Sequence, residues 1–251
     1  MDIFTFIDSA CALRDYFEAC ARIGLDYRNK NPQDCFDALR TPGLLAEHAM
    51  KLATNGVNTH KGAIFSLGVY AAALGMGYDG EKSDAMAALL RCGEMTGTRM
   101  REELAALENS EARTFGEQIY KKSRVGGVRE EAASGFASVR ENGLPRLRAA
   151  LQAGATLNDA GLCALVALMA RTQDTNALRR GGEKAAVKLL ADAKALDGEI
   201  CMQISGGSLQ DNMEGIRERM AHWDARLTAD RISPGGCADL LALTLLAEFM
   251  T

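Results

Sequence analysis

Apolar residues along the chain recur at intervals of three and four, which is the spacing of one face of an α-helix. Stop signals divide this pattern into eleven segments, and no run alternates between apolar and polar residues for long enough to predict a sheet. The pattern therefore predicts an all-α protein. The predicted helices are Asp2 to Ile23, Pro42 to Thr54, Gly62 to Leu74, Glu81 to Leu107, Ala112 to Lys122, Arg129 to Glu141, Leu144 to Ala153, Asn158 to Arg171, Gly182 to Lys194, Gln210 to Leu227 and Gly236 to Phe249.

Some of these helices are apolar on nearly every side, and such helices belong at the centre of a bundle. They contain Ala63 to Leu74, Gly161 to Ala170 and Ala238 to Ala247. Other helices alternate charged and apolar positions, and we expect their charges, including Arg217 to Arg219, to face solvent. We therefore expect one domain, residues 1–251, built as a multi-helix bundle with central apolar helices and a polar pocket at their ends.

Composition supports the helical interpretation, because 41 Ala and 30 Leu far outnumber 7 Val and 9 Ile, which favour strands. The formal net charge is −4 and no block of Lys or Arg occurs, which excludes a dedicated nucleic-acid binder. No apolar run approaches the ~18 residues of a membrane span. No signal-peptide pattern is found, so we expect a cytoplasmic protein that binds small molecules or proteins and no membrane.

The seven cysteines are an odd number without a Cys-x-x-Cys pair, which argues against a disulfide framework or a zinc site. Most are expected to be buried thiols. Of the three histidines, only His60 lies in a dense polar cluster. Any bound metal is therefore expected to take oxygen ligands.

The first polar cluster, Asn58-Thr59-His60-Lys61-Gly62, directly precedes a predicted buried helix. Free N–H groups at that helix N-terminus and the Lys61 ammonium would face the same volume, which suits phosphate. The alternative is an Asn or Thr cap beside a solvated Lys61, with His60 as a structural histidine.

The second cluster contains Asp174 and Asn176 close to the pair Arg179-Arg180 and the pair Gly181-Gly182. Its oxygen ligands suit Mg²⁺, and its guanidinium groups suit phosphate. The alternative is an Asp174 helix cap with a solvated arginine pair.

Two more clusters contain carboxylates. Asp239 follows Ser233-Pro234-Gly235-Gly236 inside an otherwise apolar helix, where its carboxylate needs either a salt bridge or a metal. Arg129 and Glu131 begin another predicted helix. We expect the polar ends of the three central apolar helices to converge on one pocket. The sequence contains no Walker loop, Gly-x-Ser-x-Gly or His-Glu-x-x-His motif, which excludes ordinary NTPases, serine hydrolases and zincins.

Together these clusters resemble the signatures of the ATP:dephospho-CoA triphosphoribosyl transferases, also called triphosphoribosyl-dephospho-CoA synthases. The resemblance implies that the ribose 2′-hydroxyl of 3′-dephospho-CoA displaces adenine from C1′ of ATP, with Mg²⁺ as cofactor. The product would be the prosthetic-group precursor for the acyl carrier subunit of citrate lyase or malonate decarboxylase. The matching segments are Val57 to Phe65, Arg129 to Phe136, Asp174 to Asn176 with Arg180 to Gly182, and Ser233 to Ala242.

The resemblance also implies roles for individual residues. The triphosphate would be bound by Lys61, Arg129 and Arg180. Mg²⁺ binding or activation of the hydroxyl would fall to Glu131, Asp174 and Asp239. His60 would act as acid or base, and Asn58 and Asn176 would orient the sugar. Inversion from β-configured ATP to an α-linkage implies a single displacement without a covalent intermediate.

The sequence departs from the family pattern in two places. No Thr-Pro-Lys-Pro-Gly-like stretch precedes Asp2 to Ala12, and Glu130 stands where a small residue, usually Gly, is expected. We therefore expect a domain without the family's usual N-terminal motif segment. These departures motivate an alternative, a nucleotide- or CoA-binding protein without turnover. A third interpretation is a Mg²⁺-dependent phosphohydrolase. Amphipathic outer helices also allow a homodimer.

Overall fold

A computed structural model describes residues 2–108, 111–112 and 115–251. These residues form helices and no strand, which confirms the all-α prediction. None of the described helices is long and apolar enough to cross a membrane. The helices are α1 (Ile3–Ala12), α2 (Arg14–Asp26), α3 (Pro32–Ala38), α4 (Arg40–Ala53), α5 (Lys61–Met76), α6 (Ala85–Glu108), α7 (Phe115–Ser123), α8 (Val128–Ala133), a π-helical segment (Val139–Gly143), α9 (Leu144–Gln152), α10 (Leu157–Met169), α11 (Thr175–Ser205), α12 (Leu209–Ala229) and α13 (Gly235–Phe249).

The chain forms two compact units. The first consists of residues 1–110, 128–136 and 246–251, and it contains α1 to α6 and α8. The second consists of residues 111–127 and 137–245, and it contains α7, the π-helical segment, α9 to α12 and most of α13. The expectation of one domain over residues 1–251 stays a prediction.

The first unit is built around α5, which is buried on nearly every side as predicted. The closest packing is between α2 and α5, where glycines bring the two backbones together. A Cβ at Gly24 would collide with the Ala72 carbonyl, and a Cβ at Gly75 would collide with the Ala21 carbonyl. The two helices can therefore approach this closely only because both positions lack a side chain.

The second unit is built around α10, which is also buried on nearly every side as predicted. Its Asp159 carboxylate is buried and accepts two hydrogen bonds, of 2.9 and 2.8 Å, from the Arg217 guanidinium on α12. Arg217 is exposed, as predicted, and its guanidinium group also compensates this buried acid. In contrast to α10, α13 buries one stripe of side chains, formed by Cys237, Leu240, Leu243, Thr244 and Ala247.

The N-terminal helix boundaries differ from the prediction. Leu13 divides the predicted helix Asp2 to Ile23 into α1 and α2, because its amide bonds the Ala10 carbonyl at 3.2 Å in a tight turn. The Leu13 side chain is buried in a cluster with Met50. The sequence analysis missed α3, although its first residue is a proline and the preceding Asn31 accepts a hydrogen bond from the helix backbone.

Two later boundaries differ as well. The predicted helix Arg129 to Glu141 is interrupted after α8, since Gly135 and Phe136 have φ values of 67° and 52°, which end a helix. The predicted helix Gly182 to Lys194 is longer in both directions, because α11 runs from Thr175 to Ser205. Gly182, with φ 72° and ψ −175°, interrupts α11 at a position that only glycine adopts readily.

Most of the cysteines are buried, as predicted. Burial raises the pKa of Cys20, Cys35 and Cys163 to about 11 in each case, which keeps these thiols protonated at neutral pH. Cys11 is exposed and Cys201 is half-buried.

Candidate functional site

The polar cluster before α5 forms the N-terminus of that helix. The Asn58 side-chain oxygen accepts a hydrogen bond from the Lys61 amide at 3.2 Å, which is a capping interaction. The Lys61 ammonium lies 2.8 Å from the Glu47 carboxylate, and its side chain is 56% exposed. Because an exposed ion pair contributes only ~1 kcal/mol or less, a phosphate group can replace Glu47 as the partner of Lys61.

The His60 side chain is in contact with residues of α1. Its Nδ1 atom lies 2.8 Å from the hydroxyl of Ser9, which is fully buried. The Thr59 hydroxyl donates to the same Ser9 oxygen at 2.7 Å. The edge of the Phe6 ring meets the imidazole, with ring centroids 5.4 Å apart. The Ser9 hydroxyl already accepts from Thr59, so we assign its own proton to the hydrogen bond with Nδ1 and the imidazole proton to Nε2.

The protonation state of His60 follows from its surroundings. Burial lowers the pKa of His60 below its ordinary value of 6.5, because a buried imidazolium loses solvation. At neutral pH the ring is therefore uncharged, with an N–H at Nε2. Such a ring donates a hydrogen bond at Nε2 and does not act as a strong acid.

The predicted residues Arg129 and Glu131 lie on α8, which packs against α5 and α6 in the first unit. Arg129 is 3.6 Å from Glu103 of α6. The short α8 is closed by hydrogen bonds to the Glu131 carbonyl, from the Ser134 hydroxyl at 2.8 Å and from the Phe136 amide at 2.6 Å. The unexpected Glu130 is exposed.

In the second unit, Asp174 joins two helix N-termini. One carboxylate oxygen accepts the amides of Asn176 and Ala177 at 2.8 and 3.1 Å, which caps α11. The other oxygen accepts the amide of Cys237 in α13 at 2.9 Å. Asp174 is buried, so these hydrogen bonds satisfy its charge. The cap interpretation of Asp174 is confirmed, and its predicted role in metal binding or catalysis stays a prediction.

Glycines allow this close approach of α11 and α13. A Cβ at Gly235 would lie 2.9 Å from the Asn176 amide nitrogen, and one at Gly236 would lie 3.1 Å from the Asp174 carboxylate. The structure therefore brings together the second and third polar clusters, as predicted. Gly127, just before α8, lies against Thr175 at the start of α11.

The remaining predicted residues of the second unit are Arg180 and Asp239. Arg180 is exposed on α11, two residues before the interruption at Gly182. Asp239 is half-buried near the start of α13 and interacts with other residues of the protein. Asn58, His60, Lys61, Arg129 and Glu131 belong to the first unit, and Asp174, Asn176, Arg180 and Asp239 belong to the second. That the polar ends of the three central helices line one pocket stays a prediction.

Sequence comparison decides the family. The profile of the ATP:dephospho-CoA triphosphoribosyl transferases matches residues 1–251. The chain belongs to this family. No solved structure matches the chain.

Several relatives carry the name "Probable 2-(5''-triphosphoribosyl)-3'-dephosphocoenzyme-A synthase". The protein from Photobacterium profundum is 36% identical over 254 residues, covering 99% of this chain and 76% of the relative. The protein from Streptococcus mutans is 32% identical over 263 residues, covering 100% and 85%. The protein from Pectobacterium carotovorum is 35% identical over 247 residues, covering 98% and 77%. The resemblance found in the motifs therefore extends along the whole chain.

For a triphosphoribosyl transferase, the sequence predicts Mg²⁺, which would need carboxylate ligands from this chain. Among the described residues, no three His, Cys, Asp or Glu side chains gather as a metal site. An ion held by protein ligands alone therefore does not fit this part of the chain. Mg²⁺ that shares substrate phosphates needs only one or two carboxylates. Glu131 and Asp239 have the right chemistry for that arrangement, and Asp174 already accepts three N–H groups.

The second unit of this triphosphoribosyl transferase also contains a cavity of about 360 Å³ that was not predicted from the sequence, lined by the π-helical segment, α9, α10 and α11. Arg146 there donates to the buried Asp197 carboxylate and to the Cys201 sulfur, each at 2.6 Å. Arg171 lies 3.6 Å from Asp197 on the same cavity. One signal was present in the sequence, since Asp197 interrupts an apolar stripe of α11 directly after Leu196.

Proposed function

We propose that this chain transfers the 5-triphosphoribosyl group of ATP to the 2′-hydroxyl of 3′-dephospho-CoA and releases adenine. The observation that carries the proposal is the family match over residues 1–251. The names of the relatives agree with it, because they describe synthases of the product of this reaction. The proposed small-molecule partners are therefore ATP and 3′-dephospho-CoA.

The triphosphate of ATP requires cationic groups and N–H donors. In the first unit, the N-terminus of α5 combines backbone N–H groups with the Lys61 ammonium. Both attract anions, because the partial positive end of the helix dipole adds to the lysine charge. We assign Lys61, Arg129 and Arg180 to the triphosphate. Mg²⁺, bound with the substrate phosphates, would neutralise further charge there, with Glu131 and Asp239 as its protein carboxylates.

His60 is assigned to the departing adenine or to a phosphate oxygen. As adenine leaves, electron density moves onto the base, and a hydrogen bond to a base nitrogen stabilises it. A neutral imidazole with its proton on Nε2 supplies that hydrogen bond without adding a positive charge beside the developing oxocarbenium ion. Ser9 and Thr59 then act as positioning residues, because they fix the ring and its tautomer.

Asp174 is assigned first to holding the start of α11 against the start of α13. This contact positions Asn176 beside Gly235, so both of these polar segments depend on one carboxylate. Asn58 and Asn176 are assigned to the sugar. Attack by the 2′-hydroxyl opposite adenine gives inversion in one displacement. The C1′–oxygen bond forms, the C1′–nitrogen bond breaks with its electron pair going to adenine, the hydroxyl proton passes to one of the carboxylates Glu131, Asp174 or Asp239, and the released adenine takes up a proton from solvent.

The proposal is tested by chromatographic detection of free adenine from ATP and Mg²⁺, with and without 3′-dephospho-CoA. We expect adenine only when both substrates are present. Ligand-dependent stabilisation without adenine would support the alternative of a nucleotide- or CoA-binding protein without turnover. Release of inorganic phosphate without adenine would instead indicate a phosphohydrolase.

A matched pair of variants tests the role of Lys61. Lys61→Gln removes the ammonium next to the α5 N-terminus, and we expect it to raise the KM for ATP about tenfold or more. Lys188→Gln removes an exposed lysine on α11 and is expected to leave the KM unchanged. Equal KM values for the two variants would remove Lys61 from the ATP site.

A further inference from the structure

The first helix exposes its apolar side chains although its N-terminus is well formed. Asp2 caps α1 through a reciprocal pair of hydrogen bonds with Thr5. Ile3, Phe4 and Ile7 are nevertheless 68%, 70% and 50% exposed, and the only buried residue of α1 is the polar Ser9. An apolar helix normally places its apolar face against a core. In the described part of the chain, no element covers these three side chains.

The neighbouring helix α4, which packs against α1, has a similar outward face. Leu44, Leu45 and Leu52 are 62%, 66% and 68% exposed, and their spacing places them on one side of the helix. Together with the three residues of α1 and the partly exposed Phe6, they expose roughly 800 Å², if each exposed fraction is multiplied by about 200 Å² for a fully exposed large apolar residue. The largest apolar patch of a monomer is usually about 300–600 Å², whereas a standard interface buries about 800 Å² per partner.

The exposed charges of the two helices have opposite signs. Asp2 and Asp8 are the charged residues of α1 and its cap, and both are exposed. On α4, Arg40 and Lys51 are exposed, while the acidic Glu47 is paired with Lys61. A surface with an acidic half and a basic half is self-complementary when it meets a second copy of itself about a two-fold axis.

We propose that the outward faces of α1 and α4, defined by Ile3, Phe4, Ile7, Leu44, Leu45 and Leu52, form a two-fold interface with a second copy of this chain. In this interface α1 of one copy packs across α4 of the other, so that acidic α1 meets basic α4 twice.

The interface also fixes part of the candidate site. Ser9 and Phe6 of α1 hold the His60 imidazole, so a partner that immobilises α1 immobilises these contacts. This consequence rests on the proposed function, whereas the interface itself does not. Association is therefore measured first and adenine formation second.

The first experiment measures the mass of the untagged full chain by sedimentation and light scattering. We expect a concentration-dependent dimer of twice 26.9 kDa. Phe4→Glu and Leu45→Glu should each raise the dissociation constant at least about thirtyfold, because a charge replaces a central apolar contact. Val187→Glu, at a 61% exposed position on α11, is the control and should leave the dimer intact.

Charge reversal identifies the surface without removing apolar contacts. Asp8→Lys alone and the double variant Arg40→Glu/Lys51→Glu alone should each weaken self-association, because like charges then meet at the interface. A mixture of the two chains should form a heterodimer, detected by native mass spectrometry, since the reversed charge at position 8 then faces the reversed charges at positions 40 and 51, and the other half of the interface keeps its wild-type charges. This outcome requires no loss of folding and separates the interface from general destabilisation.

Two results would overturn the proposal. A wild-type chain that stays monomeric at its highest soluble concentration would show that another partner, or none, occupies the surface. A dimer that tolerates Phe4→Glu, Leu45→Glu and the charge reversals would place the interface elsewhere. If the dimer dissociates as expected but no chain releases adenine, the interface stands and the proposed function fails.

Discussion

The carboxylate of Asp174 accepts the backbone amide of Cys237 at 2.9 Å, and through this bond the N-termini of α11 and α13 share one negative charge. The same carboxylate already accepts two amides of α11. Each helix N-terminus carries a partial positive charge, so two of them stabilise one buried carboxylate without a basic side chain. Asp174, which the sequence predicted to take part in metal binding or catalysis, thus has a structural role.

Asp174→Asn is expected to destabilise the protein by about 2–3 kcal/mol, because the amide nitrogen of Asn must face an N–H donor and the charge is lost. The free energy of unfolding from denaturant titration measures this effect. Asp211→Asn is the control, since Asp211 is an exposed residue in the first turn of α12.

The adenine assay then separates the two roles of Asp174. A purely structural role predicts that turnover of the folded Asp174→Asn protein recovers at low temperature. Turnover that stays low while the protein is fully folded shows a role in the reaction itself, and turnover equal to that of the wild type removes Asp174 from the site.

Two Gly→Ala substitutions are expected to have opposite effects on stability, one at the contact between α2 and α5 and one at an open position on α12. Gly75→Ala places a methyl group against the Ala21 carbonyl and is expected to cost about 3 kcal/mol or more, because backbone cannot move aside. Gly215→Ala in α12 meets no atom within 4 Å and is expected to stabilise the helix by about 0.5–1 kcal/mol. Melting temperatures that shift in the same direction for both variants would contradict this packing.

The helical class could be predicted because the composition and the apolar periodicity agree along the chain. The interruptions were not predicted, for two different reasons. Leu13 ends α1 where its side chain enters a cluster with Met50, a contact that leaves no local signal in the sequence. The end of α8 follows from the positive φ values of Gly135 and the buried Phe136, and here Gly135 was a local stop signal that the prediction did not use.

The ion pairs of Arg217 and Arg219, both on α12, predict different losses of stability when each arginine is replaced, because only Arg217 has a buried partner. Arg217→Gln removes the charged partner of the buried Asp159 carboxylate, which keeps its hydrogen bond from the Thr156 hydroxyl, and because Arg217 is exposed we expect a loss of about 1–3 kcal/mol. Arg219→Gln breaks an ion pair with Glu199 in which both side chains are partly exposed, and we expect about 1 kcal/mol or less. Chemical denaturation of the two variants checks the difference, and similar losses would mean that burial of Asp159 is not decisive.

For the candidate site, the sequence could predict candidate segments but not how each side chain is held. Asn58, Lys61 and Asp174 were identified because each lies in a polar cluster at the end of a predicted apolar helix, and their roles in the reaction stay predictions. Ser9 was missed, because a serine in the apolar segment Ile3 to Ala12 gives no signal until His60 is placed beside it. The partner of the exposed Arg217 was missed for the same reason, since Asp159 lies 58 residues away.

The buried imidazole of His60 gives a prediction about pH. Its pKa in the folded protein is below 6.5, so below pH 6.5 the unfolded state binds the proton more readily. The contribution of His60 to stability is therefore full above pH 6.5 and decreases as the pH falls, until it levels off below the folded pKa. His60→Gln should abolish this part of the pH dependence of unfolding.

Nitrogen chemical shifts of the imidazole, followed by NMR over the same pH range, measure the tautomer directly. We expect the Nε2–H form in the wild type, because the Ser9 hydroxyl donates to Nδ1. Ser9→Ala removes that donor and should increase the Nδ1–H population, while the melting temperature changes little if α1 stays in place. Adenine formation should fall together with the Nε2–H population, since the proposed hydrogen bond to the leaving base uses that proton. Unchanged nitrogen shifts in Ser9→Ala would show that Ser9 does not select the tautomer.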